Sequence, residues 1–248
     1  MIATTLSIAG NEARRIFTSP LAWTVLGVVA AISGYIFVML LLSLQADPMA
    51  LSDYMGVSDY ISAGVFGFAT LLFLLVMPLM TMRLFAEERK TGTITLLLSA
   101  PVSTTQIVLG KFLGLTVFMQ GLVLILMLMP ASLAFSTDLD YGRLAAGVLG
   151  MLLMLLAFGA AGLFVSTLTR EPTIAAVTGF GLLLMLWLLD VLAYQDVPLA
   201  QVFRHLSLIG HYDNLRRGIF DTADIAYYLL FTGTFLWAAV QRLDIERS

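Results

Sequence analysis

Residues Arg83 to Lys111 read RLFAEERKTGTITLLLSAPVSTTQIVLGK, the most densely charged interior segment of a chain that is 60% hydrophobic. Long apolar runs flank it on both sides. Glu87, Glu88, Arg89 and Lys90 extend a helix past its apolar part, and Gly92 suits the C′ stop, where a positive φ costs glycine nothing. Thr93 to Ser99 then form a short helix showing Leu96, Leu97 and Leu98, closed by Ala100-Pro101. Ser103-Thr104-Thr105-Gln106 fits a capping box, in which each end side chain satisfies the other's orphan backbone donor. Lys111 follows two turns later, where its stem can snorkel to headgroups. Three leucines in a short charged connection are unfavourable in water, and lipid does not require the charges beside them. A groove on a partner protein accounts for both, so the stretch is read as an elbow that receives force.

Composition supplies the surroundings. Of 248 residues only 12% are charged, against about 25% in an ordinary soluble domain. A soluble core cannot hide that much apolar surface, because surface-to-volume scaling still demands a polar shell. The expected class is an all-α integral membrane protein of one domain, with the lipid bilayer as its solvent. The net charge of −3 gives no basic stripe for nucleic acid. Without cysteine there is neither a disulfide nor a thiolate metal site. The first apolar run is too long for a signal h-region and is expected to stay as an anchor.

Taken in order, residues 1–20 give an amphipathic helix, with Leu6, Ala9, Ala13, Ile16 and Phe17 on one side. Asn11, Glu12, Arg14 and Arg15 take the other, as in a helix lying in the membrane plane. Spans are expected at about 21–44, 61–82, 103–135, 144–168, 173–193 and 225–240, each near the length needed to cross. The last is short, so its ends should reach into the interface. Pro20 suits a first helical turn, and Pro78 frees a carbonyl near Leu74. Gly27/Ala31, Ala30/Gly34 and Gly110/Gly114 are small-xxx-small pairs that permit close helix contact. Asp47-Pro48 and Met55-Gly56 mark turns in a loop carrying Asp47, Asp53 and Asp59. Asp138, Asp140 and Arg143 lie in the next, and Thr169-Arg170-Glu171-Pro172 is a tight turn. Between spans five and six, Leu199, Val202, Phe203 and Leu206 make one stripe, stopped by Gly210. Tyr212, Leu215 and Ile219 make another, interrupted by Gly218. Both pieces are too short to cross and are read as interfacial or re-entrant helices.

Six spans put both termini on one side. If that side is the cytoplasm, it holds Arg14, Arg15, Arg83, Arg89, Lys90, Lys111, Arg170, Arg242 and Arg247. Arg143, Arg204, Arg216 and Arg217 remain outside, nine against four, as the positive-inside rule requires. The elbow is therefore expected in the cytoplasm.

The run FAEERKTGTITLLLSAPVSTTQIVLGKFLG resembles the signature of type-2 ABC transporter permeases and is closest to the gliding-motility permease family GldF. That family carries E-E-(R/K)-x-x-G-T-(I/L)-x-x-L-L-x-x-P-(I/V)-S ahead of a G-K-F. SPLAWTVLGVVAAISGYIF is similar to its first span, GLFVSTLTREPTIAA to its fourth-to-fifth turn, and HYDNLRRGIFDTADIAYYL to its approach to the last span. The resemblance implies a six-helix permease of the bacterial inner membrane. It would pair with a second permease copy, as homo- or heterodimer, and with two ABC ATPase subunits. A GldG-like auxiliary membrane protein with an extracytoplasmic domain is also implied. The elbow would be the coupling helix. Glu87, Glu88, Arg89, Lys90, Gly92, Thr93, Leu96 and Leu97 would engage the ATPase. His211, Tyr212, Arg216, Arg217 and Asp221 would face an extracytoplasmic partner or lipid.

The residues agree with that division of labour. Cradling nucleotide phosphates takes G-x-x-x-x-G-K-[ST]; Gly110-Lys111-Phe112 lacks both the upstream glycine and the hydroxyl. No cofactor is expected on this chain, with ATP and magnesium on the partner. Asp190, three residues past Trp187, is read as structural. His205 and His211, with Asp213 near, lack a further ligand for metal, and no arrangement suggests catalysis. Two functions stay open: the permease subunit of an ABC exporter, or a membrane scaffold relaying ATPase motion to an extracytoplasmic partner. In the second, residues 195–223 would be the output surface.

Overall fold

A computed structural model describes residues 2–47, 51, 54, 56–135, 139–193 and 200–247. The expected Asp47-Pro48 and Met55-Gly56 turns, with Asp53, Asp138 and Leu199, fall wholly or partly outside them, as do the side chains of Leu98 and Arg204.

All regular secondary structure among the described residues is helical. α1 (Ile2–Thr18) ends at Ser19, and Pro20 opens α2 (Pro20–Ala46) at the position where its missing N–H is no loss. α3 (Val57–Ile61) passes through a π-helical turn (Ser62–Phe66) into α4 (Gly67–Thr81), which carries Pro78. The elbow contains α5 (Ala86–Thr91) and α6 (Ile94–Ser99). α7 (Thr104–Ala131) continues into a 3-10 turn (Ser132–Phe135). α8 (Tyr141–Ser166), α9 (Pro172–Ala193), α10 (Ala200–Leu206), α11 (Leu208–Arg216) and α12 (Thr222–Arg247) complete the chain. Among the described residues, six helices are long and apolar enough to cross a membrane.

α8 forms the centre of the bundle and is its most buried crossing helix, because its glycines and alanines let neighbours approach its backbone. A Cβ at Gly162 would stand 2.3 Å from Thr81 Oγ1, and one at Gly150 2.9 Å from Leu215 Cβ. α2, α9 and α12 are the least buried and form the perimeter. Gly27, expected in a close helix contact, has no atom near its missing side chain within this chain.

The last span differs from its expected shortness. α12 is a 26-residue helix that carries Arg242, Asp244, Glu246 and Arg247 beyond its apolar part. The side chains of Asp244, Glu246 and Arg247 find partners on the elbow, which makes the extra turns stable. Gly210 also differs: it lies inside α11, and the break falls at Ser207, whose hydroxyl accepts from Gly210 N at 2.9 Å. Gly218, at φ +81°, ends α11 with its N–H donating to Leu215 O at 3.0 Å.

Candidate functional site

The elbow is built by local chemistry. Gly92 takes φ +74° and its N–H donates to Arg89 O, so α5 stops there and α6 sets off in a new direction. Both bonds of the capping box are present: Gln106 N donates to Ser103 Oγ at 3.2 Å, and Ser103 N to Gln106 Oε1 at 3.0 Å. The start of α5 is held from outside. Phe85 N and Ala86 N each donate to Ser166 Oγ at 3.1 Å, and that hydroxyl donates to Met82 O at 3.1 Å. Ser166 is fully buried at the end of α8. Sequence reasoning missed it, since one serine in a small-residue run carries no local signal.

Lys111 corrects the snorkelling expectation. Its side chain is 3% exposed and lies between two carboxylates, 3.2 Å from Glu12 and 2.6 Å from Glu88. Arg15 lies 3.3 Å from Glu12 and 3.5 Å from Glu88, and donates to Arg83 O at 3.1 Å. A cation this buried is stable only when paired and hydrogen-bonded, and α1 supplies half of the pairing. Glu12 is accordingly buried against α7, while Leu6, expected on the apolar side, is exposed.

The crossing of α1 over α7 depends on Gly110 and Gly114. A Cβ on Gly110 would lie 2.6 Å from Ile8 Cγ2; one on Gly114 would lie 2.8 Å from Ala9 O. Lys111 sits between these two glycines in sequence, so close backbone approach and ion pair occur at one crossing.

The remaining elbow charges reach other elements. Arg89 pairs with Glu246 of α12, and Lys90 with Glu171 before α9 at 2.7 Å. Thr104 bonds Asp244, and Arg247 donates to Val102 O at 2.7 Å and Ala100 O at 3.3 Å. Of the residues expected to meet a partner, Glu88 and Arg89 thus face mainly inward. Glu87 and Lys90 are half-exposed, Gly92 and Thr93 exposed, Leu97 partly buried, and Leu96 stands 73% exposed.

At the opposite end of the bundle, α10 and α11 fold back on α8 and α9. Tyr212 and Arg216 were expected at a surface but are buried, because Gly147 and Gly150 of α8 admit α11 closely. Burial pushes the Tyr212 hydroxyl well up, with Arg216 opposing that shift, and the hydroxyl donates to Phe66 O at 3.4 Å. His211 Nδ1 lies 2.5 Å from Asp224 Oδ1, and its ring stacks on Tyr227 at 4.2 Å. Ser207 donates to Asp190 at 2.5 Å. Arg217 and Asp221 are exposed, as are Ile219 and Phe220 between them.

An all-α, multi-pass membrane protein with a braced, leucine-bearing elbow is the class these features define. The family model for the ABC-2 family transporter protein matches residues 6–240, and the chain belongs to that family. It is a membrane permease subunit of an ABC transporter, distinct from the ATPase, and the family implies ABC ATPase partners. No curated protein matches the chain.

Proposed function

We propose that this permease works as half of an ATP-driven exporter, with the elbow as its coupling helix. The observation that carries the reading is the contrast within the elbow. Leu96 projects outward from α6, while residues on either side are tied to α1, α7, α12 and the turn before α9. A push on α6 would therefore reach several elements together. Exposed leucine beside charge suits a protein groove, and the basic excess at this end supports a cytoplasmic side for the elbow and both termini, in a bacterial inner membrane. A second permease copy completes the pathway, and the elbow's resemblance to the GldF-type permeases supports a place among them. Leu96→Asp should reduce co-purification of the ATPase about tenfold, the loss expected when a buried interface leucine is replaced by a charge. Undiminished association and ATPase activity would sink the coupling role.

A second reading is supported by the exposed Ile219-Phe220 pair between Arg217 and Asp221 at the opposite end. There the chain relays ATPase motion to an extracytoplasmic, GldG-like partner without moving a substrate. Photo-crosslinking from position 220 that captures lipid and never protein would count against it.

A further inference from the structure

α12 is held by polar contacts at its two ends and by apolar ones between them. Near its start the buried Asp224 carboxylate lies 2.5 Å from His211 Nδ1 and accepts from Asn214 Nδ2 at 3.2 Å. Both of those side chains belong to α11. The hydroxyl of Tyr227 donates to Leu206 O at 2.7 Å, and that of Tyr228 donates to Leu208 O. At the other end Asp244 meets Thr104, Glu246 meets Arg89, and Arg247 donates to the carbonyls of Val102 and Ala100.

From Asp224 to Glu246 the helix covers about 33 Å at 1.5 Å per residue, close to the ~30 Å of a bilayer's hydrocarbon core. Between Tyr228 and Asp244 the described side chains make no hydrogen bond or ion pair with another element. Phe235 sets its ring edge-on to Phe164 of α8 at 5.7 Å, while Leu229, Leu230 and Trp237 are exposed. Hydrophobic contact is non-directional, so it keeps the helix against α8 without fixing its height. α9 is the competing route between the two ends, through the Lys90–Glu171 pair just before it and the Ser207–Asp190 bond near its close. Its elbow contact is exposed on both sides and correspondingly weak, whereas Arg89 is only 5% exposed in its pair with Glu246.

We propose, resting on the coupling role given to the elbow above, that α12 is the rod that carries elbow movement across the membrane to α11. Glu246 and Asp224 are the positioning residues at its two ends. A helix is stiff along its axis because its backbone bonds run the length of it, so a displacement at Glu246 arrives at Asp224. There one carboxylate holds His211 and Asn214, which stand three apart on one face of α11, and α11 follows as a body.

The chain contains no cysteine, so Ser99→Cys on the elbow and Phe220→Cys beyond α11 each accept a single fluorophore. In the complex with its ATPase subunits in nanodiscs, ATP should change the emission at both positions. Glu246→Gln with Arg247→Gln should abolish the change at 220 and leave that at 99, and Asp224→Asn should do the same. Glu246 and Arg247 are exposed at the helix end, so the double variant folds whatever the buried substitution does. An unchanged response at 220 in the double variant overturns the proposal; if Lys90→Ala then abolishes it, the relay is α9. A response at 99 but none at 220 in the unaltered permease also overturns it and leaves the coupling role standing. Silence at both positions removes the coupling role and the rod together.

Discussion

Lys111 shows how one residue changes meaning when its partners are known. A lysine near a helix start reads as a headgroup anchor, because local sequence contains only its own helix. Glu12 lies 99 positions away, on a segment whose other side is more apolar. No period or spacing reveals such a pair. Removing the cation while leaving both acids should be costly: Lys111→Met is expected to destabilise by about 3–5 kcal/mol, read as a lowered thermal midpoint in detergent. Lys111→Met combined with Glu12→Gln and Glu88→Gln should recover much of that loss. Lys90→Ala breaks a pair exposed on both sides and should shift stability by no more than about 1 kcal/mol. The capping box and Gly92, by contrast, were legible from sequence, because all their partners lie within one turn.

At the scale of elements, the glycines divide into those that hold two helices together and those that do not. Gly114 faces backbone on α1, and backbone cannot rotate away, so Gly114→Ala should loosen α1 at a cost of about 1–3 kcal/mol. Limited trypsin digestion at Arg14 and Arg15 should then speed up. Gly27→Ala meets nothing within this chain and should leave digestion unchanged. Both positions sit in small-xxx-small patterns of equal quality, so sequence alone ranks them the same. What distinguishes them is which helix passes by, a property of tertiary packing. Gly92→Ala places a Cβ in left-handed backbone and should cost about 1 kcal/mol. Its sharper effect should be a re-aimed α6, measured as weaker ATPase association at normal expression.

Over the whole molecule, apolar run length made six crossings legible, while their order of burial was not. α8 is central because its small residues admit neighbours, whereas Gly27 on α2 meets nothing within this chain. The C-terminal turns show the limit of hydropathy. It registers where apolar character fades near Val240, whereas the helix continues because polar groups of the elbow receive its end. Deleting residues 241–247 should therefore uncouple the elbow without removing a crossing. ATPase co-purification should persist through Leu96, while stimulation of ATP hydrolysis by substrate or partner is lost.

The tie between the elbow and α12 also bears on how the protein is made. Arg89 pairs with Glu246 across 157 positions, and Arg247 reaches Val102 across 145. While the ribosome is still producing the middle of the chain, the elbow has emerged but its brace does not yet exist. Domains and their contacts complete as synthesis proceeds, so this surface is finished only after α12 has emerged. A chain cut short before α12 would present Leu96 on an elbow still tied to α1 and α7 but lacking the brace that carries its motion onward.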